Sequence, residues 1–204
     1  DTLSQTERWD EKFDVILANP PFMTPKGGVM PHNKFEITAN RAEVLFVDYI
    51  KTHLKPNGRA GIIIPEGVIF QSSNAYIELR KLLVEDGLYA VVSLPSGVFN
   101  PYSGVKTSIL FFDNTISKQT KKVLFVKIDG DGYGLGSQRK ESDKNDLPKA
   151  IKLLKDYKNN SDKNIKDSSF SWVVNKSKIL ESDDCSLMGE RYKTSTRNTS
   201  EKWD

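Results

Sequence analysis

The chain has 204 residues, 37% of them hydrophobic, with 30 basic and 27 acidic side chains and a formal net charge of +3. This length suffices for one compact core with an appendage, and the mild charge permits DNA binding without arguing for it. The single cysteine, Cys185, excludes an internal disulfide and fits a reducing cytoplasm, and no signal peptide or membrane span is visible. No Pro-Cys turn precedes Cys185, so a cysteine nucleophile for methylation at carbon-5 of cytosine is not expected.

The first predicted element is a buried strand, Val15 to Ala18, that runs directly into Asn19-Pro20-Pro21-Phe22. Parallel sheets bind ligands at the carboxyl ends of their strands. The Asn19 amide oxygen and the carbonyl after it can each accept a hydrogen bond from a planar NH2 group, while the prolines hold φ and offer no competing N–H. Two such acceptors would localise the nitrogen lone pair for attack on a methyl group, and Phe22 could stack on a flat base. By itself, the tetrapeptide is equally compatible with a buried turn.

Helical and strand patterns alternate as far as residue 128. One helix is predicted to begin with the capping pair Asn40 and Glu43 and to end at Lys55-Pro56-Asn57-Gly58, with Leu54 on its apolar side. The other elements are a strand over 60–65, a helix over about 74–85, and strands over 88–94, 107–112 and 123–128. Continuous apolar strands indicate a sheet that is covered on both faces. The polar link between the last two strands shows no helical pattern, which predicts an antiparallel hairpin.

The segment from Gly130 to Gly136 follows a strand but lacks the spacing and the amphipathic helix of a phosphate-binding loop. It is predicted to be a hairpin or surface loop, with contact to nucleic acid through Arg139 and Lys140 as the alternative. The charges from Arg139 to Asp146 are expected to be solvated.

Beyond this point the chain becomes polar. One surface helix is predicted within residues 141–169, with its apolar side formed by Ala150, Leu153, Leu154 and Tyr157. Large apolar residues are interleaved with charge from Ser168 to Trp203, which suggests either a docking surface for a partner or packing on the chain's own sheet. His32 and His53 lack the spacing of metal ligands, so no metal site is predicted.

Several stretches together resemble the modification (M) subunit of type I restriction-modification systems, in the N6-adenine DNA methyltransferase family. The resemblance is specific up to about residue 128 and weaker through Arg191-Tyr192. The matching stretches are 14–22, 54–60, 64–68, 94–99 and 104–112.

The resemblance implies an α/β fold that is part of a Rossmann-like S-adenosylmethionine-dependent methyltransferase sheet, containing its later strands, an antiparallel last hairpin, and a helical or irregular C-terminal extension. Residues 1–130 would form the C-terminal half of the catalytic domain, and residues 131–204 the extension with its surface helix and tail. The family's glycine-rich cofactor loop and helical N-terminal domain have no counterpart, and the chain opens with Asp1. We therefore expect a carboxyl-terminal fragment that is inactive alone and exposes an unpaired strand edge beside Asn19.

The resemblance also assigns roles to residues. Asn19, Pro20, Pro21 and Phe22 would be catalytic, and Asn19 and Asp1 would contact S-adenosylmethionine, whose main binding loop is absent. Phe22 would stack on one face of a flipped adenine. A flipped base needs a second aromatic ring on its other face, and Phe99, just before the block from Gly104 to Phe112, is the better-placed candidate, with Tyr102 as the alternative.

The function implied is methyl transfer to adenine N6 in DNA, in a complex with the specificity (S) subunit, the restriction (R) subunit and a second copy of the modification subunit. Two alternatives remain open: methylation of a glutamine amide in a protein, since that family also uses Asn-Pro-Pro followed by an aromatic residue, and a non-catalytic assembly role. The block from Gly104 to Phe112 and the length of chain beyond the sheet favour the DNA enzyme.

Overall fold

The computed structural model describes residues 2–3, 9–22, 31–159 and 165–193. The strands among these residues are β1 (Phe13–Ala18), β2 (Leu54–Pro65), β3 (Leu88–Ser93), β4 (Thr107–Asp113), β5 (Lys122–Lys127), β6 (Asp131–Tyr133), β7 (Glu141–Asn145) and β8 (Ser171–Asn175). Six of them form the central sheet, in the order β1-β2-β4-β3-β5-β8. β1, β2, β3 and β5 share one direction, because β1 is parallel to β2, β3 is parallel to β5, and both β2 and β3 are antiparallel to β4. β8 runs antiparallel to β5.

A separate two-stranded hairpin joins β6 (Asp131–Tyr133) to β7 (Glu141–Asn145). The helices are α1 (Ala42–Thr52), α2 (Gly67–Phe70), α3 (Asn74–Glu85), α4 (Asn114–Gln119), α5 (Leu147–Asn159) and α6 (Lys176–Leu180), followed by a 3-10 helix, Gly189–Tyr192. The strand predicted for 88–94 and the helix predicted for 74–85 are confirmed to within one residue. The surface helix predicted within residues 141–169 is confirmed as α5.

At the centre of the sheet both faces are covered, as the continuous apolar strands predicted, but one face of the edge strand β1 is not. Alternate residues of a strand point to opposite faces, and in β5 Phe125 packs in one apolar cluster while Leu124 packs in another. The first cluster contains apolar residues of α1, α3 and α6. The second contains Ile116 of α4 and Ala150 of α5.

The predicted end of the first helix is wrong. α1 ends at Thr52, and Leu54 together with residues 55–58 belongs to β2. The register explains why this stretch does not look like a strand: Phe13 pairs with Leu54, whereas Val15 pairs with Arg59. The intervening residues of β2 therefore bulge out, which accommodates the Pro-Asn-Gly sequence.

The predicted hairpin between the strands of residues 107–112 and 123–128 is also wrong. β3 lies between β4 and β5, and the link contains α4. Asp113 caps this helix, since its carboxylate accepts hydrogen bonds from the N–H groups of Thr115 (3.0 Å) and Ile116 (3.1 Å). A capped helix of six residues is too short to show a periodic apolar pattern.

The sheet continues past the expected domain boundary at residue 130, because β8 pairs with β5. Trp172, Val174, Ile179 and Leu187 are buried in the main apolar cluster. The described part of the supposed docking segment, up to residue 193, therefore packs on the chain's own sheet, and Trp203 lies outside the described residues.

β1 lies at the edge of the sheet formed by the described residues, as expected. One face of this strand is exposed and apolar: Phe13 is 41%, Val15 48% and Leu17 81% accessible. Among the helices described, none is both long and apolar enough to cross a membrane.

Candidate active site

The carboxyl ends of β1, β2, β3 and β5 lie together, beside the start of the antiparallel β4. This C-terminal edge of the sheet runs across the strand ends and differs from the side of the sheet formed by the outermost strand β1. Backbone hydrogen bonds join the chain segments there. Glu66, after β2, donates its N–H to the Lys106 carbonyl (3.0 Å), and Leu94, after β3, donates to Thr107 (3.0 Å). Ile128, after β5, donates to Ser93 (2.9 Å). Loops that follow separate strands are thus held against one another at this edge.

The predicted catalytic tetrapeptide begins directly after β1 at this edge. Ala18 pairs with Ile62 of β2, and the next residue, Asn19, is exposed. Pro20 and Phe22 are half-buried, whereas Pro21 is exposed. The Asn19 carboxamide is thus accessible to a substrate, and neither proline presents an N–H beside it.

The second predicted aromatic group lies in the loop between β3 and β4, at the same edge. Phe99 is half-buried, and Tyr102 is 94% exposed. The Phe99 carbonyl accepts hydrogen bonds from the N–H groups of Tyr102 (2.9 Å) and Ser103 (3.1 Å), which makes this part of the loop a tight turn. Of the two candidates, Phe99 has the more fixed environment.

A polar cluster of Lys106, Glu66 and Ser93 also lies at this edge, and no role was predicted for these residues. The Lys106 ammonium forms an ion pair with Glu66 and donates a hydrogen bond to the Ser93 hydroxyl (3.1 Å). Glu66 and Lys106 lie in two of the stretches that resemble the family, and this resemblance was the feature of the sequence that could have identified them. Their pairing joins the segment after β2 to the loop before β4.

A cavity of about 210 Å³ lies beside this cluster. Its apolar wall includes Val91 of β3, Phe125 of β5 and Trp172 of β8, and the chain from Leu187 to Glu190 lines another side. A second ion pair, between Lys127 and Glu190 (3.4 Å), lies at its margin.

The glycine-rich segment from Gly130 to Gly136 lies in the β6–β7 hairpin and its turn, as one of the two predictions had it. The expectation that Arg139 is a solvated charge is wrong. Its guanidinium forms an ion pair with Asp131 and lies 5.5 Å from the centroid of the Tyr133 ring. This segment is therefore not a cofactor loop.

The described residues supply few contacts for S-adenosylmethionine. Asn19 is exposed at a strand end, as a cofactor contact requires, but Asp1 lies outside the described residues. In this part of the chain no glycine-rich turn leads from a strand into an amphipathic helix. The described residues by themselves do not form a complete pocket for the cofactor.

Metal and thiol chemistry find no support among the described residues, where no cluster of three or more His, Cys, Asp or Glu side chains could hold a metal ion. His53 is buried and stacks on Tyr49 with 3.8 Å between ring centroids, and His32 stacks on Trp9 at 4.5 Å. Burial raises the pKa of the Cys185 thiol, which disfavours the thiolate that a nucleophile requires.

Comparison with known proteins places this geometry in a family. The family model described as N-6 DNA Methylase matches residues 1–201. The methylase subunit of the type I restriction enzyme EcoEI from Escherichia coli is 41% identical over 121 residues, which cover 58% of this chain and 24% of that protein. The chain thus spans about a quarter of the length of this relative.

Two solved structures have a similar fold. One, from a study of assembly and conformational transition of the type I R-M system, superposes with a TM-score of 0.67 at 31% identity, covering 83% of this chain and 36% of that one. The type I restriction-modification methyltransferase subunit from Streptococcus thermophilus superposes with a TM-score of 0.65 at 25% identity, covering 89% and 38%. Because the family model covers nearly the whole chain, this protein belongs to the N-6 DNA methylase family.

Proposed function

We propose that this chain carries part of the catalytic centre of an adenine-N6 DNA methyltransferase, the modification subunit of a type I restriction-modification system. The observation that carries the proposal is the exposed Asn19-Pro20-Pro21-Phe22 at the carboxyl end of β1. The relatives named above support the assignment to type I systems.

Asn19 acts on the amino group of a flipped adenine. Its side-chain oxygen accepts a hydrogen bond from one N6–H, and the Pro20 carbonyl accepts a hydrogen bond from the other, which draws the nitrogen towards a tetrahedral arrangement and localises its lone pair. Phe22 stacks on one face of the base and Phe99 on the other, replacing stacking lost on leaving the duplex, which is worth roughly 1–3 kcal/mol per base. The protein's contribution is thus orientation and polarisation of the nitrogen.

The methyl donor in this proposal is S-adenosylmethionine, which the family assignment supports. Asn19 and Asp1 are the contacts that we propose from this chain. The incomplete set of contacts among the described residues agrees with the short coverage of the relatives, and the remaining contacts would come from chain outside these residues.

The proposed partners are DNA, a specificity subunit, a restriction subunit and a second copy of the modification subunit. Support comes from the relatives, which are named as methylase subunits of type I restriction enzymes. The segment from 171 to 193 offers less docking surface than its composition suggests, because several of its large apolar side chains, Trp172 and Leu187 among them, are buried in the chain's own core.

The proposal is tested by substituting Asn19 in the complete enzyme with its partner subunits. Asn19→Ala removes an acceptor that acts on the reacting nitrogen, so the rate of tritiated methyl transfer to DNA should fall by about 10²–10³ while DNA binding is largely retained. Asn19→Asp keeps a side-chain acceptor and should retain more activity than Asn19→Ala.

Asn57→Ala is the matched control, since Asn57 is also exposed but lies near the opposite end of β2. It should transfer methyl groups at the wild-type rate. Wild-type transfer by Asn19→Ala would rule out the proposed role of this residue, and with it the proposed centre.

A further inference from the structure

The loop that carries Phe99 rests on the tip of the β6–β7 hairpin. The Asn100 side-chain amide donates a hydrogen bond to the Leu135 carbonyl (2.8 Å). Gly97 approaches the same carbonyl so closely that a Cβ at this position would lie 2.5 Å from the oxygen. Gly97 also has a φ of +85°, which favours glycine. The Leu135 carbonyl thus holds Asn100 by a hydrogen bond and lies close to Gly97 on the other side of Phe99.

The loop is stiff enough to transmit this support. The Asn100 N–H donates to the Gly97 carbonyl (3.0 Å), so Phe99 lies within a closed turn. The next turn is closed by the hydrogen bonds of Tyr102 and Ser103 to the Phe99 carbonyl. A shift of Leu135 must therefore move the backbone of Phe99 as well.

Besides the pairing of its two strands, the hairpin contains an ion pair that joins its first strand to its turn. Asp131 is only 8% exposed, and its carboxylate pairs with the Arg139 guanidinium and accepts a hydrogen bond from the Tyr133 N–H (3.3 Å). Arg139 also donates to the Gly134 carbonyl (3.4 Å). The Arg139 backbone has a φ of +43°, where an L-residue is strained and glycine would be favoured.

We propose that Asp131, Arg139 and Asn100 are positioning residues for Phe99. The ion pair fixes the hairpin, the hairpin fixes the Leu135 carbonyl, and this carbonyl holds the loop that presents Phe99 to the flipped base. The inference rests on the proposed function, in which Phe99 stacks on that base.

Direct contact of Arg139 with DNA predicts different behaviour. The Arg139 side chain is 19% exposed and its guanidinium is already paired, whereas the neighbouring Lys140 is exposed. A hairpin that binds DNA phosphates should lose affinity when either cation is removed. A hairpin that positions Phe99 should be insensitive to loss of Lys140.

The test uses the complete enzyme with its partner subunits and DNA that carries 2-aminopurine at the target adenine for fluorescence, or adenine for kinetics. Arg139→Ala should lower kcat roughly 10-fold or more, because misplacement by about 1 Å can cost a factor of 10². It should also reduce the fluorescence change on binding, with Kd for DNA unchanged. Arg139→Lys should restore much of both, and Lys140→Ala should match wild type.

A double-substitution cycle separates positioning from general damage to the fold. If Arg139 acts through Phe99, adding Arg139→Ala to Phe99→Ala should change kcat by less than about twofold, although each substitution alone is impaired. Asn100→Ala leaves the ion pair intact and should show the same dependence on Phe99, which covers the case that Arg139→Ala does not fold.

The inference would be overturned if Arg139→Ala and Asn100→Ala each lowered kcat by the same factor with and without Phe99→Ala. It would also be overturned if Arg139→Ala and Lys140→Ala both lost affinity for DNA. If Phe99→Ala is impaired while Arg139→Ala and Asn100→Ala behave as wild type, only the positioning role fails. If Phe99→Ala itself has wild-type kcat and fluorescence, the stacking role in the proposed function fails first.

Discussion

Asp48 lies in α1 with its side chain completely buried. Its carboxylate accepts hydrogen bonds from the Ile37 N–H (2.8 Å) and the Thr52 hydroxyl (3.3 Å). Burial nevertheless raises the pKa of Asp48 above its ordinary value, because desolvation outweighs these bonds. The hydrogen bonds orient the segment before α1, and the charge itself opposes folding.

We expect Asp48→Asn to stabilise the protein at neutral pH. Between the unfolded carboxyl pKa of about 3.9 and the raised folded value, the folded state binds more protons, so wild-type stability falls as the pH rises through that window. The amide keeps an acceptor for Ile37 and does not titrate. Urea unfolding from pH 4 to pH 7 should show the stability of the variant, relative to wild type, increasing with pH and then levelling off.

Asp14→Asn is the control with the opposite sign. The hydrogen bond and charge of Lys55, whose ammonium lies 2.8 Å from the Asp14 carboxylate, lower the pKa of Asp14. This pair is exposed, so any effect should be small and should favour wild type as the pH rises. An Asp48→Asn variant that loses stability towards neutral pH would contradict the explanation by burial.

The residues that could be predicted from sequence were those with a local chemical signature. Asn19 and Phe22 form such a signature with the two prolines between them. Arg80 does not: it is completely buried, and its guanidinium donates to the carbonyls of Val68, Gln71 and Asp184, the last of these 104 residues away in sequence. A role that depends on distant backbone groups leaves no trace in spacing.

Among the elements, the segment after α6 depends most on distant contacts. The Arg80 guanidinium holds the Asp184 carbonyl at 3.1 and 2.7 Å, and the Leu187 N–H donates to the Ile69 carbonyl (2.9 Å). Leu187 is buried in the main apolar cluster. The sequence left open whether this segment docks a partner or packs on the chain's own sheet, and these contacts attach it to α2 and α3.

Leu187→Ala should destabilise the protein by about 2–5 kcal/mol, because it removes buried methyl groups and leaves a void beside the sheet. Its neighbour Met188 is 41% exposed, and Met188→Ala should change the free energy of unfolding by only about 0.5 kcal/mol. Denaturant unfolding of the two variants measures the difference. Equal, small effects would mean that this segment is loosely attached to the fold.

Strand order is what the sequence could not provide. The apolar runs identified β3, β4 and β5 to within two residues, yet β4 lies between β2 and β3 and pairs antiparallel with both. Periodicity reports which residues are buried, whereas pairing depends on contacts that form only when the whole sheet is assembled. For the same reason β8 was not predicted as a strand, since its apolar residues were equally compatible with a segment that docks a partner.

In the molecule as a whole, the candidate site occupies one edge of the sheet. Asn19, Phe99 and the Glu66–Lys106 pair all follow or precede strands at this edge. The exposed apolar face of β1 lies next to it, with Leu17 81% accessible. In the proposed function, the chain supplies the groups that orient the base, and contacts from outside the described residues complete the cofactor pocket.

In the proposed function, the methyl group is transferred to adenine N6 in DNA. The most direct measurement is mass spectrometry of nucleosides and of protein digests from cells that express the complete enzyme, compared with cells that express Asn19→Ala. The proposed function predicts N6-methyladenine in the DNA of the first cells and its loss in the second. The proposed function would be contradicted if adenine were unmethylated in both kinds of cell and a different product depended on Asn19. That product would be N-methylglutamine in a protein or N4-methylcytosine in DNA.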